Sequence, residues 1–339
     1  MPRLRGKRIG VLGDLMLDRY VWGNATRLSL ETPVPIVDFV EETESLGGAG
    51  NVAANLASLG ARVEAFGAIG NDAAGRALRA RLREKGIADS GVLVGPKRLT
   101  TIKTRIIARH QHIVRVDRER SEPLRAENEA KLLRALSVSL GKLDALILSD
   151  YNKGLITESL ADRVLTLAHK AKVPVFVSPK TSKLYAHRGA RAVVCNLKEA
   201  ASFVTHALAD ENSITEAGRA LLAHFGCAAV VITRGAQGMS VFEESSPKHL
   251  HIAAIGVEVT YARMGQPGIE RGATGRQVFD VTGASDTVLS TMALAVAAGA
   301  SLPEAAQLAN VAAYVAVSKL GTACVTPEEL THALAEARL

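Results

Sequence analysis

The segment DVTGASD, residues 280–286, packs the most chemistry into the fewest positions. It stands at a turn that leads into an apolar stretch. Its small residues Gly283, Ala284 and Ser285 leave backbone N–H groups free at the start of a helix, where those donors and the helix dipole make an anion site. Asp286 sits among them. A carboxylate in that position has two readings: it caps the helix, or it takes the proton of a hydroxyl while the amides stabilise charge on a transferring phosphoryl group. A second glycine-rich turn, LGGAGN at 46–51, opens another helix. Gly47 and Gly48 permit close backbone approach, and Asn51 offers both a donor and an acceptor. It is either a tight turn or a ligand contact.

Other phosphate-binding loops are excluded or weakened. No GxxxxGK[ST] occurs anywhere, which argues against a P-loop fold, and no GxGxxG follows the first strand, which weakens a dinucleotide-binding dehydrogenase. Cys195, Cys227 and Cys324 lie far apart without metal-ligand spacing, so a disulfide framework or zinc site is not expected.

The elements that must position these residues alternate. Short apolar strands are expected at 8–13, 62–67, 144–149, 173–177, 191–195 and 228–233. Helices are expected at 50–59, 72–85, 158–170, 197–206, 213–225, 286–298 and 303–319, with a last helix after Thr326, Pro327 and Glu329. Gly60 is a C-terminal stop, and Ser301 with Glu304 forms a capping-box pattern. Such alternation means βαβ units and a mainly parallel sheet. Ligands on such sheets sit beyond the carboxyl ends of the strands, which singles out Asp14, Asp150, Asn196 and Thr233. Residues 18–45 and 99–117 break the rhythm and read as strands of a small separate sheet inserted into the main domain. Residues 254–277, rich in Gly and Arg, read as a loop or hairpin.

Composition bounds the classes. The 339 residues are about twice the length usual for one domain. Hydrophobic residues are 47% and charged residues 22%, the balance of a soluble globular chain. No run approaches the ~18 apolar residues of a membrane span, and no apolar leader follows the N-terminal charges, so a cytoplasmic protein is expected. Aromatic residues are only 4%, too few for a stacking platform on nucleic acid. We read the net charge of +7 as suited to an anionic small substrate, ahead of a solvated basic surface or nucleic-acid binding.

GD at 13–14, GGAGNVA at 47–53, TRGAQG at 233–238 and DVTGASD at 280–286 occur in an order that resembles the ribokinase-like (PfkB) sugar kinases, over essentially the whole chain. Within that family GDLMLDRYVWG (13–23), RLSLETPVPIV (27–37), TIKTRIIARHQHIVRVD (101–117), SDYNKG (149–154) and KLGTACV (319–325) are most similar to the D-glycero-β-D-manno-heptose 7-phosphate kinases. Those are the kinase half of a bifunctional ADP-heptose synthesis protein. The sequence ends at Leu339 without an HxGH signature, so a stand-alone kinase is expected.

The resemblance implies an α/β fold: a ribokinase-like three-layer α/β/α sandwich, one kinase domain over 1–339, with a small β-lid formed by about 15–45 and 99–117. It implies ATP and Mg²⁺ as cofactors, with a monovalent cation (K⁺) site near Asp280 and the 320–324 loop left open. The base falls on Asp286 and the anion hole on Gly283, Ala284 and Ser285. Sugar-hydroxyl contacts fall on Asp14, Gly48 and Asn51, with Asp18 as a further hydroxyl contact or a lid salt bridge. Nucleotide contacts fall on Thr233, Gly235, Gly238 and Asn310. Asn196 and Glu199 match the motif that orders Mg²⁺ through water. Lys103, Arg105, Arg109, Lys153 and Lys180 are the candidate cations for the substrate's own phosphate.

The implied reaction is transfer of phosphate from ATP to the anomeric C1 hydroxyl of the heptose 7-phosphate, giving the 1,7-bisphosphate for lipopolysaccharide core precursors. Another PfkB sugar or nucleoside kinase, and a weakened homologue that only binds sugar phosphate or nucleotide, are the alternatives. The implied partners are small molecules and a second copy of the chain through the lid. Neither nucleic acid nor membrane is expected. Three departures bear on activity, one of them the 254–277 insertion that precedes the DVTGASD turn on the nucleotide side. Ser285 replaces the family's glycine, which strains the turn if that residue needs a positive φ and is harmless otherwise. Ser178, in VSPK, stands where heptose kinases carry Asp.

Overall fold

Val11 and Leu12, adjacent in the first strand, are both fully buried yet belong to different apolar cores. Successive side chains of a strand point to opposite faces, so a strand buried on both sides needs helices above and below it. A computed structural model shows that arrangement and describes residues 2–108, 111–180, 187–204, 208–255, 281–319 and 323–336.

In chain order the strands are β1 (Arg8–Gly13), β2 (Leu15–Leu28), β3 (Pro35–Gly48), β4 (Arg62–Gly70) and β5 (Ala88–Gly95). They continue as β6 (Thr101–Ala108), β7 (Gln111–Arg118), β8 (Ala145–Ser149), β9 (Val175–Ser178), β10 (Ala192–Asn196), β11 (Ala229–Thr233), β12 (Met239–Glu243) and β13 (Leu250–Ile252). The helices are α1 (Ala49–Ser58), α2 (Ala73–Glu84), α3 (Ala126–Leu140), α4 (Glu158–Lys170) and α5 (Leu197–Val204). After them come α6 (Glu211–Phe225), α7 (Ala284–Ala297), α8 (Leu302–Val317) and α9 (Pro327–Glu336).

The main sheet runs β13-β12-β11-β10-β9-β8-β1-β4-β5. Its pairs from β11 to β5 are parallel, and β12 and β13 add an antiparallel edge. Leu56 of α1, Leu78 of α2, Met292 of α7, Val311 of α8 and Leu330 of α9 pack on one face with Val11, Ile147 and Val231. Leu132 of α3, Leu160 of α4, Phe203 of α5 and Leu221 of α6 cover the other with Leu12, Leu148 and Ile232. This is the expected three-layer α/β/α sandwich. The two irregular segments supply a second, four-stranded sheet, β3-β2-β6-β7. In it β2 and β6 run parallel and the outer pairs run antiparallel.

Most elements fall where the periodicity places them, and the expected caps form. Ser301 and Glu304 make a reciprocal box at the start of α8. Thr326 and Glu329 do the same for α9, with Glu329 N–H to Thr326 Oγ1 at 3.2 Å and Thr326 N–H to Glu329 Oε2 at 2.9 Å. Four elements are additional to the sequence reading: β5, α3, β12 and β13. The 254–277 insertion lies outside the described residues except for Ala254 and Ile255. All three cysteines are free.

Two glycines set the route of the chain into the site. A Cβ on Gly13 would stand 2.1 Å from the Ser149 carbonyl oxygen, so only glycine lets the end of β1 lie against β8 where Asp14 emerges. Gly48 has φ +55°, and a Cβ there would meet the Asp14 carbonyl oxygen at 2.6 Å. This left-handed residue turns the chain from β3 directly into α1, and Asn51 follows one turn on.

Candidate active site

Asp286 lies in the first turn of α7 with its side chain buried. Gly283 is the N-cap residue, with φ 82°, and no side chain caps this end. The capping reading of Asp286 is thereby set aside, because its carboxylate is engaged elsewhere. Asn51 Nδ2 donates to Oδ2 at 2.8 Å. The Tyr151 hydroxyl donates to Oδ1. Asn51 is itself held: Asn55 Nδ2 donates to its carbonyl at 3.0 Å, and Thr287 Oγ1 donates to Asn55 Oδ1 at 3.2 Å. Ser290 Oγ donates to the Val52 carbonyl at 3.1 Å. These polar rungs between α1 and α7 fix the rotamer of the carboxylate.

Burial pushes the Asp286 carboxyl above the ordinary range, against the lowering effect of the Tyr151 and Asn51 hydrogen bonds and of Lys180. The Tyr151 phenol is pushed well above its usual value by burial and by the charge of Asp286, so it stays a donor. Ser285 has helical backbone, and the left-handed residue of this turn is Gly283. The serine substitution is therefore unstrained.

On one side of Asp286, Asp14 organises a loop. Its Oδ2 accepts the backbone N–H groups of Tyr151 (2.9 Å) and Lys153 (3.1 Å), and its Oδ1 that of Leu155 (3.2 Å). This holds Tyr151 and Lys153 on one short arc. Asp18 forms a buried ion pair with Arg105, Oδ1 to Nη1 at 2.6 Å. A Cβ on Gly47 would meet Asp18 Oδ2 at 2.6 Å, so glycine makes room for that pair. The lid salt-bridge alternative for Asp18 is the one the structure contains. Lys103 pairs with Asp117 (2.9 Å) and Glu119 (3.2 Å), and Lys153 pairs with Glu119 (2.7 Å). Lys180 pairs with Glu199 and lies 5.0 Å from the centre of the Tyr151 ring. Arg109 lies outside the described residues, as do Asp280 and residues 320–322 of the region left open for a monovalent cation.

On the other side of the first turn of α7 is a cavity of about 490 Å³. Its wall includes Asn196, Thr233, Gly235, Gly238, Asn310, Ala284 and Ser285, so the residues assigned to the nucleotide and two from the anion turn meet in one space. Gly235 and Gly238 have φ of +57° and +83°, the backbone that lets the turn after β11 fold back. Arg234, buried beside it, is held by Glu211, by Ser240 Oγ (3.1 Å) and by Gln237 Oε1 (3.1 Å). Asn310 Nδ2 donates to the Ala253 carbonyl at 2.7 Å.

Asn196 and Glu199 form a reciprocal cap at the start of α5, with Glu199 N–H to Asn196 Oδ1 at 2.8 Å and Asn196 N–H to Glu199 Oε2 at 2.9 Å. Among the described residues no group of three or more His, Cys, Asp or Glu could hold a metal directly. One buried carboxylate beside a nucleotide-sized cavity suits Mg²⁺ carried by phosphates and water, since that ion keeps its waters and needs few protein ligands. Tyr151, Asn55 and Thr287 are the site residues that sequence reasoning missed. Tyr151 had a signal, an aromatic directly after the strand-end Asp150, but a phenol there is chemically ambiguous until its neighbour is known.

Comparison with known proteins identifies the family. Residues 7–329 match the family model described as pfkB family carbohydrate kinase. The chain is similar to the bifunctional protein HldE of Pelobacter propionicus, 39% identical over 334 residues, which are 98% of this chain and 64% of that protein. It is likewise 42% identical to the bifunctional protein HldE of Caulobacter vibrioides, over 100% of this chain and 66% of the relative. It thus spans a little under two thirds of the curated relatives it matches. Among solved structures, a putative ribokinase from Agrobacterium tumefaciens superposes with a TM-score of 0.75 at 22% identity, covering 98% of each chain. Phosphofructokinase-2 from Escherichia coli in complex with substrates and products gives 0.74 at 18%, covering 98% of this chain and 100% of that one. The fold, the turn before α7 and the family match converge: this chain belongs to the pfkB family of carbohydrate kinases.

Proposed function

We propose that the protein transfers the γ-phosphoryl group of ATP to the anomeric C1 hydroxyl of D-glycero-D-manno-heptose 7-phosphate, giving the 1,7-bisphosphate used in ADP-heptose and lipopolysaccharide core synthesis. The observation that carries this reading is the position of Asp286. Its carboxylate already accepts a hydroxyl hydrogen bond from Tyr151, while Ala284 and Ser285, immediately before it, line the nucleotide-sized cavity. The HldE relatives and the heptose-kinase-like segments support the choice of sugar.

The steps follow from phosphoryl-transfer physics, in which positioning and charge neutralisation dominate. The acceptor hydroxyl donates to Asp286, and its proton passes to that carboxylate as the O–P bond forms. The bond between the β-γ bridging oxygen and the γ-phosphorus breaks, and ADP leaves. A raised carboxyl pKa brings the base nearer the working pH. The N–H groups of the first turn of α7 face the developing charge, and each such donor is worth about 3 kcal/mol in comparable sites. Asn51 and Tyr151 keep the carboxylate aimed. Glu199 and Asn196 would hold magnesium through water, and magnesium would neutralise the phosphates. Lys180, bridging Glu199 and the Tyr151 ring, supplies fixed positive charge between the two halves.

The small sheet serves as a lid and a dimer contact in this reading. Phe39, Val40, Val114 and Val116 on its strands are exposed apolar residues, the character of a face that meets another surface. The reaction belongs in the cytoplasm, where ATP is available. A coupled ADP-release screen over phosphorylated heptoses, hexoses and nucleosides with MgATP tests the assignment. Turnover is expected on the heptose 7-phosphate, and activity confined to unphosphorylated sugars would refute it.

A further inference from the structure

Lys103, from β6, and Lys153, from the loop after β8, converge on a single carboxylate. Glu119 Oε2 lies 3.2 Å from Lys103 Nζ and its Oε1 2.7 Å from Lys153 Nζ. One anion with an ammonium group on each of two oxygens is also how a phosphate monoester is held by lysines. The location fits. Lys153 is two residues from Tyr151, at most about 7 Å of backbone, and the Tyr151 hydroxyl touches Asp286. Asp14 holds the backbone N–H groups of both Tyr151 and Lys153, so one short loop carries the residue that meets Asp286 and one of the two lysines.

The other candidate cations are less free to exchange. Arg105 is buried against Asp18, and Lys180 is held by the buried Glu199. Glu119 is different. It follows the last residue of β7, in the stretch before α3 that has no regular structure, and its side chain is 27% exposed. The backbone around it is fastened independently. Ser121 Oγ donates to the Asn152 carbonyl at 2.8 Å, Arg98 Nη1 to the Glu122 carbonyl at 3.1 Å and Arg98 Nη2 to the Lys153 carbonyl at 3.4 Å. The Glu119 side chain can therefore rotate into solvent while the strap stays in place.

We propose that Glu119 is an internal counter-ion that competes with the acceptor's phosphate for Lys103 and Lys153, and so sets the preference for phosphorylated acceptors. This rests on the reading of the acceptor as a sugar phosphate. A dianion outbids a single carboxylate for two ammonium groups, whereas a neutral sugar leaves the carboxylate where it is. Asp117 stays on Lys103, anchored by Arg115 at 2.9 Å, so the exchange involves Glu119 alone.

The test measures binding of inorganic phosphate to the intact protein by calorimetry, together with acceptor kinetics. Glu119→Gln is expected to bind phosphate about fivefold more tightly than the wild type, the scale of two partly exposed ion pairs, and to lower KM for phosphorylated acceptors by a similar factor. Adding Lys153→Gln should abolish the gain. Glu119→Asp keeps the charge and should show little of it. Should the glutamine variant melt early, Glu119→Ala repeats the measurement. Phosphate affinity that is unchanged or weaker in Glu119→Gln overturns the proposal, as does an equal gain in Glu119→Asp. If no phosphorylated sugar is turned over yet Glu119→Gln still binds phosphate more tightly, the counter-ion role stands and the substrate assignment falls.

Discussion

The hydroxyl of Tyr151 donates a hydrogen bond to Oδ1 of Asp286. The two side chains are 135 residues apart, one from a loop that Asp14 pins after β8, the other from the first turn of α7. Their contact places an O–H group against the carboxylate, as the proposed reaction requires of the acceptor hydroxyl. It also ties the loop after β8 to the helix whose first turn walls the cavity lined by Asn196, Thr233 and Asn310.

Tyr151→Phe removes a donor to the charged form of Asp286 and leaves burial in place. The tyrosine bond lowers the carboxyl pKa, so its loss moves that pKa further up. The acidic limb of the kcat/KM profile should shift to higher pH in the variant. A pH–rate profile of both proteins checks this; a limb that stays put or moves down contradicts it.

Asp14→Asn should damage the loop before it damages the chemistry. An amide can accept with one atom only, so at least one of the Tyr151, Lys153 or Leu155 N–H groups loses its acceptor. Leaving a buried donor unsatisfied costs about 1–3 kcal/mol. Denaturant titration should show a loss of that size, and acceptor KM should rise more than nucleotide KM.

The turn before α7 makes a paired prediction. Gly283 holds the left-handed conformation, whereas Ser285 is helical. Gly283→Ala should cost roughly 1–2 kcal/mol and lower kcat by tilting the first-turn amides. Ser285→Gly, which restores the family residue, should lose about 0.5 kcal/mol of helix stability and bring no gain in kcat. Melting curves and turnover of the two variants decide it.

Much of this site could be read in the sequence because its backbone demands are local. GGAGN, TRGAQG and DVTGASD need glycine at fixed places, and Gly48, Gly235, Gly238 and Gly283 all have positive φ. The parallel sheet followed from alternating apolar strands and helical periods. What stayed hidden was pairing across distance. That Tyr151 meets Asp286, that Arg105 is taken by Asp18, and that Lys103 and Lys153 share Glu119 depend on how two sheets meet, which no local spacing records. The helix α3 carries Leu132, Leu136 and Leu140 on one face, but its N-cap residue is Arg125, with no side-chain cap to mark its N-terminus. The antiparallel edge β12-β13 lacks the helix between strands on which the alternation argument depends.

The central claim is that Asp286 removes the acceptor's proton at the junction of two ligand sites. Steady-state kinetics of Asp286→Asn with the sugar phosphate and MgATP test it most directly. The amide keeps the shape and can still meet Asn51 and Tyr151, so kcat should fall by about 10²–10⁴ while acceptor KM stays within a few-fold. A variant that retains a tenth or more of the wild-type kcat would contradict the account.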